Sequence, residues 1–224
     1  MSSQSIPAET VYTRLITQIH KALSDAGRAP DAAHLTAVSK NQPWEAVAPV
    51  LLQGHRCFGE NRVQEALSRW GPVRDQYPDL DLRLIGPLQS NKAAEAVAFF
   101  DVIETVDRDK IARVLADEMS RQGRTPKLYV QVNIGEEPQK AGVLPDEADA
   151  FLKNVRDDYG LCIEGLMCIP PAGVPAAPYF THLKQIADRN GLDQLSMGMS
   201  DDFETAIACG ATEIRVGSAL FGAR

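Results

Sequence analysis

Only four cysteines occur in 224 residues, Cys57, Cys162, Cys168 and Cys209, and no two have Cys-x-x-Cys spacing. A chain of this length buries a sizeable core without staples, so free thiols in a reducing, cytoplasmic setting are predicted rather than a disulfide framework. Histidine is equally sparse. His20, His34, His55 and His182 share no metal-ligand spacing, which predicts packing or surface roles and no metal centre. Basic residues (23) are outnumbered by acidic ones (30), and the net charge of −7 argues against a sequence-independent grip on nucleic acid or an anionic membrane. No run is apolar enough to span a bilayer, and the opening Met-Ser-Ser-Gln-Ser-Ile-Pro lacks the basic and apolar regions of a signal peptide. Also missing is the Gly-x-Gly-x-x-Gly turn that opens most doubly wound dinucleotide-binding sheets.

What is present is an alternation of two periodicities. Short β-branched and aliphatic runs near 35–39, 56–59, 82–86, 102–106, 128–134, 163–169, 194–198 and 213–217 read as strands. Helical patterns lie between them: Trp44, Val47, Val50 and Leu51 share one face, as do Ile111, Val114, Leu115 and Met119. Gly54, Gly123, Gly191 and Gly210 mark helix ends. Eight strands with intervening helices predict an α/β fold, one (β/α)8 TIM-type barrel over residues 1–224. Within it, residues 1–34 supply an extra helix on the barrel's outside, with Val11, Leu15, Ile19 and Leu23 at helical spacing.

In such barrels the working residues sit on the loops at the C-terminal ends of the strands. Strand one ends Thr36-Ala37-Val38-Ser39-Lys40, and alternation puts Thr36, Val38 and Lys40 on one face, the inner one. Desolvation disfavours an ammonium, so a lysine there would supply an amine able to attack an aldehyde. From position alone, a solvated strand-end lysine is an equal reading. Strand two ends in Gly59-Glu60-Asn61, where Gly59 permits close approach and Asn61 offers an amide, although Gly-Glu-Asn is also a good turn. Lys92 is a rival amine, placed past a helix start and read as a surface residue.

After strand seven, Met199-Ser200-Asp201-Asp202 opens a helix with Ser200 at or near its cap, a setting whose N–H groups favour a phosphate if both aspartates point outward. An ordinary serine cap is the alternative. Strand eight ends Arg215-Val216-Gly217-Ser218, with Arg215 and Gly217 facing inward. A bare arginine there is costly, so Arg215 should meet a carboxylate or a ligand.

Six ordered blocks carry a resemblance: Ala37-Val38-Ser39-Lys40, Gly59-Glu60-Asn61-Arg62-Val63-Gln64-Glu65, Ile85-Gly86-Pro87-Leu88-Gln89-Ser90-Asn91-Lys92, Gln131-Val132-Asn133-Ile134, Leu195-Ser196-Met197-Gly198-Met199-Ser200-Asp201 and Arg215-Val216-Gly217-Ser218. Together they resemble the pyridoxal phosphate homeostasis protein family, itself similar to the N-terminal barrel of alanine racemase. The resemblance covers nearly the whole chain. It implies a (β/α)8 fold and pyridoxal 5′-phosphate (PLP) held as a Schiff base on Lys40. It further implies phosphate contacts at Ser200, Gly217 and Ser218, Arg215 near the pyridine nitrogen, and Asn61 and Met199 lining the pocket. Two departures stand out: Arg83 takes the place where the family often has histidine, and no basic tail follows Phe221-Gly222.

An arginine beside the ring nitrogen can only donate, which leaves the ring a poor electron sink. Alanine racemase also draws an opposing tyrosine from a second, β-rich domain that has no counterpart here, and Tyr12, Tyr77, Tyr129, Tyr159 and Tyr179 are read mostly on helices or loop edges. The expectation is therefore a monomeric, non-catalytic PLP carrier or regulator that supplies apo PLP-dependent enzymes. The alternatives are a weak amino-acid racemase, or a cofactor-free barrel enzyme that uses Lys40 as an amine on a sugar or indole phosphate.

Overall fold

A computed structural model describes residues 10–222. Residues 1–7, where a signal peptide was sought, lie outside this range. Among the described residues, eight strands alternate with helices: β1 His34–Val38, β2 Cys57–Glu60, β3 Asp81–Leu84, β4 Val102–Val106, β5 Lys127–Val132, β6 Ile163–Cys168, β7 Gln194–Ser196 and β8 Glu213–Val216. All pair in parallel and in sequence order, and β8 closes on β1 with Leu35 opposite Ile214 and Ala37 opposite Val216. This is a closed (β/α)8 barrel, as the alternating periodicities predict.

The helices are α1 Val11–Asp25, α2 Trp44–Leu52, α3 Val63–Trp70, α4 Ala93–Phe99, α5 Asp109–Gln122, α6 Ala148–Asp157, α7 Ala177–Arg189, α8 Phe203–Ala208 and α9 Ser218–Phe221. Their apolar faces pack on the outward side chains of the strands. Val47, Val50 and Leu51 of α2, with Ile111 and Leu115 of α5, join one continuous core with Leu35, Ala37 and Val216. At about 25 cal/mol per Å² of apolar surface, this layer is the main source of stability.

Helix α1 begins at a capping box in which Thr10 and Thr13 satisfy each other's backbone N–H groups. Leu15, Ile19 and Leu23 are buried as their spacing predicts. Val11, expected on the same stripe, is instead half exposed, because it lies in the first turn before the helix reaches the barrel.

Three strands, β3, β5 and β7, stop two residues earlier than their composition suggests, each for a local reason. Gly86 is drawn against the Asn61 backbone, where a Cβ would sit 2.2 Å from the Asn61 carbonyl oxygen. Past β5, Asn133 folds the chain back by accepting from the Glu137 N–H and donating to its carbonyl. After β7, Gly198 takes φ +96°, a region open to glycine.

Candidate functional site

The C-terminal ends of the strands surround a cavity of about 470 Å³, within the size range of small-molecule sites. Lys40, Asn61, Met199, Ser200, Arg215, Gly217 and Ser218, singled out from seven sequence positions on four strand ends, all line it. Lys92 is elsewhere, on a 3-10 turn beside α4 and paired with Glu95.

Each lining residue owes its place to a neighbour. Lys40 follows Ser39, whose hydroxyl donates to the fully buried Glu60 at 2.7 Å. The same Glu60 oxygen accepts from Trp70 Nε1 at 3.1 Å and pairs with Arg69 at 3.0 Å. Burial raises the Glu60 carboxyl above its ordinary value, while the Ser39 bond and the Arg69 charge pull the other way. Arg69 also donates to the Gln42 carbonyl, so this cluster holds both sides of the Lys40 turn.

Across the mouth, the Ser218 hydroxyl donates to Ser200 Oγ at 3.0 Å, and Ser200 Oγ also accepts the Ala219 N–H at 3.3 Å. Ser200 is thus not the cap of α8. Asp202 holds that position, turning its carboxylate back to accept the Met199 N–H at 2.6 Å. The turn leaves Asp201 exposed on the cavity rim, contrary to the expectation that it points away.

The floor is Arg215, 4% exposed. It does meet a carboxylate, but through a hydroxyl. Its NH1 donates to Ser196 Oγ at 2.7 Å and its NH2 to the Cys168 carbonyl at 2.8 Å, while Ser196 donates to Glu104 Oε2 at 2.6 Å.

Below Arg215 the barrel interior is polar, where barrels of this type are usually filled by branched aliphatic residues. Glu213 accepts from Thr36 at 2.6 Å and pairs with Arg83, the residue that departs from the family's histidine. Burial is the largest single influence on the Glu213 carboxyl and would raise it, but Arg83, the Glu104 and Thr36 hydrogen bonds and Arg215 together outweigh it and hold it low. Glu104 is pushed well above the usual range, first by burial and then by the charge of Glu213. Tyr129, on β5, is buried beside this group and raised by the same burial.

Sequence reasoning passed over Glu104, Ser196 and Glu213 as components of strands. A lone glutamate within Val-Ile-Glu-Thr-Val was the available signal, since a charge in an otherwise uncharged strand must find a partner if the strand is buried on both faces. It also gave no site role to Gln131 near the end of β5 or to Asn133 and Lys140 on the loop that follows, all of which line the cavity. Lys140 donates to the Pro170 carbonyl at 2.9 Å and pairs with Glu137. No group of metal-binding side chains occurs among the described residues, and no described helix is long and apolar enough to cross a membrane.

The sequence model of the alanine racemase N-terminal domain matches residues 19–224. A pyridoxal phosphate homeostasis protein of Pseudomonas aeruginosa is 42% identical over 218 residues, covering 94% of this chain and 93% of its own. PipY of Synechococcus elongatus, solved with PLP bound, superposes with a TM-score of 0.78 at 39% identity, over 92% of this chain and all of PipY. An alanine racemase of Clostridium difficile superposes at TM-score 0.70 over 93% of this chain and 56% of its own, but at 14% identity that likeness speaks for the fold alone.

Proposed function

This chain belongs to the alanine racemase N-terminal domain family, alongside the pyridoxal phosphate homeostasis proteins, and on that premise we propose that it holds and releases PLP at the barrel mouth. One observation carries the reading: an amine (Lys40), a guanidinium (Arg215) and a pair of hydroxyls (Ser200 and Ser218) line a single cavity of matching size. Those are the partners that an aldehyde, a pyridine nitrogen and a phosphate require. Once bound, the cofactor supplies an electrophilic carbonyl carbon for amines.

In this reading Lys40 would present the amine that holds the aldehyde, and the Ser39–Glu60–Arg69 cluster positions the turn that carries it. Ser200 and Ser218 turn their hydroxyls to the phosphate beside the open backbone of Gly217. Asp201 on the rim is exposed, so water and salt screen its repulsion. Asn61 and Met199 border the ring. Arg215 has only donors, so it would leave a ring nitrogen facing it unprotonated and the ring a weak electron sink. That favours storage over carbanion chemistry.

Delivery to apo PLP-dependent enzymes, action as a monomer and residence in the cytoplasm complete the proposal. Four free thiols suit a reducing compartment.

Absorbance titration with PLP tests the binding claim. The wild type should turn yellow and saturate at one equivalent, and Lys40→Ala should not. An equal yellow band in Lys40→Ala, or none in the wild type, would contradict it.

A further inference from the structure

The buried polar column beneath Arg215 has a direction, set by what each group can donate. Arginine only donates, so at 2.7 Å the Ser196 hydroxyl accepts from Arg215 NH1. Its single proton is then committed to Glu104 Oε2, 2.6 Å away. That oxygen is an acceptor.

The other oxygen, Oε1, is buried and receives no ordinary donor. Arg83 NH1 is 3.6 Å from it, beyond hydrogen-bond length. The same Arg83 NH1 is paired with Glu213, which brings the two carboxylates to one point in the barrel, and the oxygens of Glu213 already accept from Thr36 and Arg83. Two ionised carboxylates facing each other in a dry interior repel strongly. A single proton on Glu104 Oε1 replaces that repulsion with a donor to Glu213 and leaves every member of the column satisfied.

We propose that Glu104, acting through Ser196, is a positioning residue for Arg215, and that it works as a neutral carboxylic acid. The column then runs one way, from Arg215 to Ser196, to Glu104, to Glu213, and it ends on a carboxylate held by Arg83 and Thr36. Arg215 is thereby aimed at the cavity without a carboxylate touching it, so its charge stays directed at whatever faces it from above. The upward push on Glu104 by burial and by Glu213 agrees with this arrangement. The inference rests on the reading that Arg215 faces the cofactor ring.

Glu104→Gln is the discriminating variant. It keeps a carbonyl for Ser196 and an N–H for Glu213, and it cannot ionise. PLP titration of Glu104→Gln should give wild-type affinity within about twofold and an unchanged absorbance maximum. Glu104→Ala and Ser196→Ala should bind about tenfold more weakly, the factor carried by one lost buried hydrogen bond, with a shifted maximum. Ser196→Ala removes one hydroxyl and keeps the test valid if Glu104→Ala fails to fold. Weak binding by Glu104→Gln would overturn the neutral-acid assignment. Wild-type binding and spectrum in Ser196→Ala would overturn positioning. A wild type that binds no PLP would sink the underlying reading instead, a separate result.

Discussion

The Ser218 hydroxyl donates to Ser200 Oγ across 3.0 Å, joining the loops after β7 and β8 at one edge of the barrel mouth. Neither hydroxyl is needed for the core, since Ser218 is exposed and Ser200 is half-buried. Their role should therefore appear in ligand discrimination. The double variant Ser200→Ala/Ser218→Ala should keep its melting temperature but lose most of the preference for PLP over pyridoxal, by roughly tenfold or more for two charge-assisted bonds. Titration of both ligands checks this, and an unchanged preference would remove the pair from the phosphate site.

Gly86 supports Asn61 by having no side chain. A Cβ there would lie 2.2 Å from the Asn61 carbonyl oxygen and 2.6 Å from its Cα. Gly86→Ala must displace backbone, and overpacking of this kind costs about 1–3 kcal/mol. Thermal melting should fall by several degrees, and PLP should bind more weakly as Asn61 moves. Gly173→Ala in its open loop carries only the cost of a left-handed backbone, so its melting temperature should fall less and its PLP binding should be unchanged.

The Glu104 proton has a stability consequence with a definite sign. Its folded value is raised above the ordinary 4.5. The favourable contribution is therefore complete below pH 4.5 and is lost as pH rises towards the folded value, because folding must then take up a proton. Glu104→Gln has no such loss. Its melting temperature relative to wild type should climb as pH goes from 4 to 8, and a flat difference would show that Glu104 is ionised when folded.

His55 works in the opposite direction. It lies against Tyr12 of α1 and Phe58 of β2, and its Nε2–H donates to the Cys57 carbonyl at 2.7 Å. Burial pulls it from 6.5 down to about 4. Its contribution is present above pH 6.5 and is lost as pH falls towards 4, on the order of 3 kcal/mol in all. His55→Phe should start less stable at neutral pH, for want of the Cys57 bond, yet show a shallower decline between pH 6.5 and 4.

The barrel was legible in the sequence because eight aliphatic runs and their helical partners bury opposite faces of the same strands, as Ala37 and Val216 do beneath α2 and its neighbours. Strand ends were less so. Asn133 and Gly198 end β5 and β7 through side-chain and backbone conformations that apolar composition does not encode. At the mouth, alternation from Thr36 to Lys40 and from Arg215 to Gly217 pointed inward, and the structure puts these residues there. Composition left the exact cap of α8 open near Ser200, because serine and aspartate are comparable caps. Only the turn geometry chooses Asp202. The partners within the column of Glu104, Ser196 and Glu213 were not legible, because the barrel brings β4 against β7 and β8 from a distant part of the chain.

Borohydride reduction of the protein mixed with PLP, followed by peptide mass mapping, tests the central claim most directly. One reduced pyridoxyl phosphate group should be found on the peptide containing Lys40, and none on those containing Lys92 or Lys140. A label on another lysine, or no label at all, would contradict the account.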